Sequence, residues 1–260
     1  MFSSGGLVIK LITISPQAVV GVRGAVAAMI IGMFMRKAHF RWSLSQIGGA
    51  VALGATQFFF VLATTQTTAA NAIFIQYTAP IYVAIFGIGY LNEKLKWLDG
   101  LSIIAVLAGL ALFFWGNLDA TALQGNINAV ISGITYAWFI LFLRRQKDTS
   151  TIETVFLGNV FIAVIFMLFI FFDNPTSNDW LALGFLGVLQ LGIPFVLMSI
   201  SIRYLTAVEA ILIQALEPIM NPVWVFLVIG EKPSSFALLG GFIVMIAVTL
   251  RAVLISKGEK

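Results

Sequence analysis

The chain holds no cysteine and a single histidine, His39, among 260 residues. The first lack excludes a disulfide, a thiolate metal site and a thiol nucleophile, and the second leaves no imidazole pair for a metal or for acid–base chemistry. Charge is scarce too: 10% of residues are Asp, Glu, Lys or Arg, where soluble domains carry about 25%. No nucleotide-binding glycine loop, no His-x-x-x-His and no paired acids occur, so self-contained ATP-driven pumping is excluded. A membrane-embedded enzyme is the weakest reading, and neither a metal nor a cofactor is expected. His39 lies beside Phe40 and Arg41 in a loop, where a solvated role suffices.

What the chain does hold is apolar surface, at 60% of residues. About 20 helical residues cross a hydrocarbon core, and runs of that length fall near 16–35, 43–63, 69–91, 97–116, 123–143, 152–172, 180–203, 206–229 and 234–255. The expectation is an all-α polytopic membrane protein with nine complete spans, joined by loops too short for an extramembrane or nucleic-acid-binding domain. Before the first span, Met1 to Ile14 would reach about 21 Å if wholly helical, too little to cross. It lacks the features of a signal peptide, and reads as the tail of a first helix whose opening part is missing from this sequence.

Lys and Arg alternate between loops. Arg36, Lys37, Arg41, Lys94, Lys96, Arg144, Arg145, Lys147, Arg203, Arg251, Lys257 and Lys260 fall on one side, whereas the other holds Lys10 and Lys232 with Asp119, Asp173, Asp179 and Glu231. The basic side marks the cytoplasm and puts the C-terminus there. Trp42, Trp97, Trp115 and Trp180 stand at span ends, as interfacial residues do. Gly48, Gly49, Gly54, Gly184, Gly187, Gly192, Gly240 and Gly241 are expected where helices approach closely.

Thr68–Lys94 reads TAANAIFIQYTAPIYVAIFGIGYLNEK, and Thr206–Lys232, offset by 138 residues, reads TAVEAILIQALEPIMNPVWVFLVIGEK; ten of 27 positions are identical. They include the Ile-x-Ile-Gln segment, Pro80 with Pro218, and the closing Glu93-Lys94 with Glu231-Lys232. The mates are the third and eighth spans, five apart in order, an odd number, so one copy is inverted. Inverted repeats are a recurrent design of secondary transporters, whose site lies near the midplane between the repeats.

With Ser15-Pro16, Arg23, the Thr68–Lys94 helix around Pro80, and Leu216-Glu217-Pro218 running to Gly230-Glu231-Lys232, the chain resembles the EamA-type branch of the drug/metabolite transporter superfamily over almost its whole length. The resemblance implies a ten-helix fold of two inverted five-helix halves: 1–116, with helix 1 incomplete, and 123–255, followed by a cytoplasmic tail at 256–260. It also implies an integral protein of a bacterial cytoplasmic membrane that carries a small metabolite such as an amino acid, by efflux. Transport would be secondary-active or facilitative, with protons as a coupling partner and the chain a monomer or weak homodimer. The competing reading is a partner subunit with no substrate path of its own.

Charged groups at membrane depth are functional candidates. Glu217 lies eleven residues into a 24-residue span. Pro218 and Pro222 disrupt the helix around it, and the carbonyls freed at such breaks are tolerated where they line a cavity. On a helical wheel Gln214, Glu217 and Asn221 fall within about 60°, a face for a proton or a substrate ammonium. Structural glue is the alternative for Glu217. Arg23, eight residues into its span, would pair with a substrate carboxylate or an acidic side chain, or snorkel outward. Gln76, Tyr77 and Pro80 are candidate lining groups from the other copy, and Pro194 is a further helix break. Glu209 is expected to be a first-turn dipole partner or surface ion pair.

Overall fold

The computed structural model describes residues 8, 9, 11–35, 38–115, 121–149, 151–219 and 234–258. Among them the regular structure is helical throughout: α1 Pro16–Phe34, α2 Leu44–Gln66, α3 Ala69–Gln76, α4 Ala79–Leu91, α5 Trp97–Phe113, α6 Leu123–Arg145, α7 Thr151–Phe166, α8 Ser177–Phe185, α9 Ile193–Ser201, α10 Ala207–Gln214 and α11 Ser235–Gly258. A 3₁₀ segment, Met167–Phe172, extends α7, and a π-helical segment, Leu186–Gly192, joins α8 to α9. Helices satisfy their own backbone groups, which is what a hydrocarbon solvent demands.

Seven helical stretches among the described residues are long and apolar enough to cross a membrane: 16–34, 44–66, 69–91, 123–145, 151–172, 177–201 and 235–254. Trp97–Phe113 is apolar but shorter, at 17 residues. The span expected at 206–229 begins as α10 and resumes at 217–219, while the part from 220 on, with the Gly230-Glu231-Lys232 ending, lies outside the described residues. Large apolar side chains such as Met33, Leu44, Phe172 and Leu181 are exposed. Exposed apolar surface on this scale identifies an integral membrane protein, with lipid covering the outer faces. Trp42, Trp97, Trp115 and Trp180 are all exposed at helix ends.

Side-chain caps set several starts. Ser15, Ser43, Thr68 and Thr206 each accept a hydrogen bond from the backbone N–H three residues on, and Pro16 occupies a first-turn position where its missing N–H costs nothing. α3 and α10 begin and end at positions offset by the same 138 residues as the sequence repeat. Each stops at a Gln followed by a two-residue interruption. Helix then resumes at Ala79 and at Glu217, with Pro80 and Pro218 in its first turn.

α2 packs against α6 and α7, α1 against α7 and the π segment, α3 and α4 against α6, and α5 against α11. Glycine permits the closest of these approaches: a Cβ on Gly240 would lie 2.3 Å from Gly109 O, and one on Gly21 would lie 2.3 Å from Met167 N. Gly184 departs from the sequence expectation, because none of the described residues lies within 4 Å of its Cβ position.

Polar groups gather at the two ends of the bundle. At one, Arg144 Nε meets Glu93 Oε1 at 2.9 Å, while Arg251 meets Asp99 at 2.6 Å and Glu209 at 3.3 Å. At the other, Asp173 accepts from Ser15 and Asp179 accepts from Thr13.

Candidate functional site

Between the ends, a cavity of about 80 Å³ is lined by side chains from α1, α2, α3, α6, the π segment and α9, by Tyr77 within the first helix interruption, and by Glu217 and Pro218 just after the second. Its walls include Arg23, Thr56, Gln57, Gln76, Tyr77, Tyr136, Gln190, Phe195, Glu217 and Pro218. Five residues singled out by sequence, Arg23, Gln76, Tyr77, Glu217 and Pro218, therefore meet around one space.

The two helix interruptions touch each other. Tyr77 stands at the C-cap of α3, buried, and its hydroxyl lies 2.9 Å from Glu217 Oε2 and 3.0 Å from the main-chain oxygen of Gln214. That carbonyl is free to accept because Pro218, four residues on, has no N–H to offer it. One break supplies a phenol, and the other a carboxylate and a carbonyl. Gln76 donates to Ser132 Oγ at 2.7 Å, and Ser132 in turn donates to Thr56 O.

Arg23 is 1% exposed, so it does not snorkel. Its Nη1 donates to Gln190 Oε1 at 3.4 Å and its Nη2 to Gln57 O at 3.3 Å; Nε has no partner among the described residues. Among the described residues Arg23 forms no ion pair. A buried guanidinium held only by two long, neutral contacts is under-satisfied. Gln57 also passes a hydrogen bond to Asn159 Oδ1, and Asn159 anchors itself on Val155 O.

The remaining candidates lie elsewhere. The Gln214 side chain turns back to Ala210 O and lies near Met198 Sδ, so only its carbonyl faces Tyr77. Pro80 is buried in the first turn of α4, and Pro194 in the first turn of α9. Asn221 and Pro222 lie outside the described residues. Glu209 closes a capping box with Thr206 at the start of α10, and its ion pair is with the buried Arg251 rather than at the surface. No group of three or more His, Asp or Glu side chains able to hold a metal occurs among the described residues.

Sequence reasoning passed over Gln190, Ser132, Asn159 and Thr56. Gln190 and Asn159 carried a usable signal, an amide in the middle of an apolar run, and Gln190 also stands four residues before Pro194.

A model of the EamA-like transporter family matches residues 1–115 and 123–252 of the chain. A Bacillus subtilis protein described as uncharacterized transporter YxxF is 28% identical over 202 residues, covering 75% of this chain and 64% of that protein. An uncharacterized transporter of Archaeoglobus fulgidus is 28% identical over 196 residues, covering 74% of this chain and 70% of its own length. The match to the Bacillus relative thus takes in less than two thirds of that protein. A chain of known crystal structure superposes with a TM-score of 0.80 at 15% identity, covering 100% of this chain and 95% of that one, a likeness of fold alone.

Proposed function

Because the chain belongs to the EamA-like transporter family, we propose that it moves a small metabolite such as an amino acid across a bacterial cytoplasmic membrane, by alternating access at the cavity between Arg23 and Glu217. The observation that carries this reading is the Tyr77–Glu217 bond across the two helix interruptions, in a cavity that also holds an arginine with no ion-pair partner among the described residues. Arg23 receives the solute's anionic group, and Glu217 alternates between a proton and the solute's ammonium.

The moving parts in this proposal are two inverted halves, 1–116 and 123–255, with 256–260 as a cytoplasmic tail. Three features support that division: the 138-residue repeat, the matched interruptions after Gln76 and Gln214, and the packing of α1 on α7 and of α5 on α11, pairs of helices at repeat-related positions. Solute pockets commonly enclose about 300–1,000 Å³, whereas this cavity measures about 80 Å³, enough for a few waters. The solute enters when the halves rock apart. Net movement is outward, down a solute gradient or coupled to protons, and the carrier works as a monomer or weak homodimer. Transporter family membership argues for carriage over covalent chemistry.

Counterflow into proteoliposomes preloaded with unlabelled amino acids tests the reading. Labelled amino acid accumulates transiently above its equilibrium level if the chain is such a carrier. Accumulation no faster than in protein-free vesicles, across the pool of amino acids, contradicts it.

A further inference from the structure

Arg23 offers five N–H donors in a planar fork. Both acceptors it meets are neutral oxygens, at 3.4 Å and 3.3 Å, beyond the usual range of such bonds, about 2.7–3.2 Å. The two are not equivalent. The Gln57 acceptor is a main-chain carbonyl fixed within α2, and the side chain of that residue is tied to Asn159. Gln190 contributes a side-chain oxygen from the π segment, where each turn carries more residues than an α turn and local register can be taken up.

The π segment lies directly on α1. A Cβ on Gly187 would sit 2.5 Å from Val26, and one on Gly192 would sit 2.8 Å from Ile30. This close seating aims Gln190 at Arg23. Pro194 begins the next helix and offers no N–H to the carbonyl of Gln190. The segment is held to α1 by packing, and the missing N–H of Pro194 marks where its register changes.

We propose that Gln190 is a placeholder in the transport site: in the empty carrier its amide oxygen occupies Arg23, and the solute's anionic group displaces it. The inference rests on the reading of Arg23 as the anion-binding group. A charged oxygen pair suits the guanidinium fork, forming shorter and stronger bonds than a neutral amide oxygen, so exchange favours the solute. The placeholder also answers a problem of the empty state. Arg23 and Glu217 line the same cavity without forming an ion pair, and direct pairing between them would close the site against solute.

The test compares Gln190→Glu and Gln190→Ala with the unmodified chain, each of verified thermal stability, in counterflow of a radiolabelled L-amino acid mixture. Gln190→Glu fixes a carboxylate beside the guanidinium and raises KM tenfold or more. Inhibition by the corresponding amino acid amides, which lack the carboxylate, stays within threefold of its unmodified value. Gln190→Ala removes the competing oxygen and lowers KM by about threefold. The placeholder role is overturned if Gln190→Glu leaves KM within threefold, or if Gln190→Ala raises it as far as the Glu variant does. Should the Glu variant fail to fold, a tenfold rise in KM for Gln190→Ala is enough to overturn the proposal. An unmodified chain that moves no amino acid defeats the transport reading and this inference together, whereas flux with unaltered Gln190 variants defeats the inference alone.

Discussion

Tyr77 and Glu217 meet because each stands where a helix is interrupted, and an interrupted helix frees both side chains and carbonyls to face a cavity. Removing the phenolic hydroxyl in Tyr77→Phe leaves Glu217 Oε2 and Gln214 O without that donor, at a cost of about 1–3 kcal/mol for the stranded buried groups. Counterflow should fall by about tenfold, in line with about 1.4 kcal/mol of lost interaction, and thermal unfolding in detergent should come at a lower temperature. At this scale Arg23, Gln76 and Glu217, each a polar residue interrupting an apolar run, come together around the cavity. The sequence misled at Gln214. The wheel that put Gln214 beside Glu217 assumes an unbroken helix, and the interruption at 215–216 turns the Gln214 side chain back onto Ala210 O instead. Gln190 went unread because its significance depends on Arg23, 167 residues away in the chain.

The helices themselves were largely legible, since uninterrupted apolar length sets a span and Ser or Thr caps set several starts. The expected run at 16–35 became Pro16–Phe34, and 69–91 became two helices on either side of an interruption. The 3₁₀ and π segments were not legible: 152–172 and 180–203 each read as one continuous helix. Their hydrogen-bond registers answer to the surfaces they pack on, and sequence periodicity does not report those. Gly21 shows the dependence, because its bare backbone lies against Phe166 and Met167, where the α-helix passes into 3₁₀. A methyl group in Gly21→Ala would collide with that backbone and should destabilise the protein by about 1–3 kcal/mol. Gly89→Ala, with none of the described residues within 4 Å of the new atom, should be neutral or slightly stabilising. Thermal denaturation in detergent distinguishes the two, and equal midpoints would show that α1 does not seat as closely as described.

For the whole molecule, the alternation of charged loops anticipated two polar ends, and the ion pairs and capping bonds gather at two ends accordingly. Membrane orientation is testable cleanly because the chain has no cysteine. A cysteine at the exposed Ser234 should react with a membrane-impermeant maleimide in intact cells, and one at the exposed Thr149 only after permeabilisation; the reverse pattern would invert the proposed topology. The repeat was visible as ten identities in 27 positions, but sequence alone did not reveal that its two interruptions touch through Tyr77 and Glu217. That contact is the centre of the transport account. Its most direct test is counterflow of labelled amino acid by Glu217→Gln beside Glu209→Gln, since a glutamine at 209 keeps an oxygen for the capping box and gives up only the ion pair with Arg251. The account predicts that Glu217→Gln abolishes flux or its dependence on a proton gradient while Glu209→Gln transports nearly as the unmodified chain does; unaltered, proton-dependent flux in Glu217→Gln would contradict it.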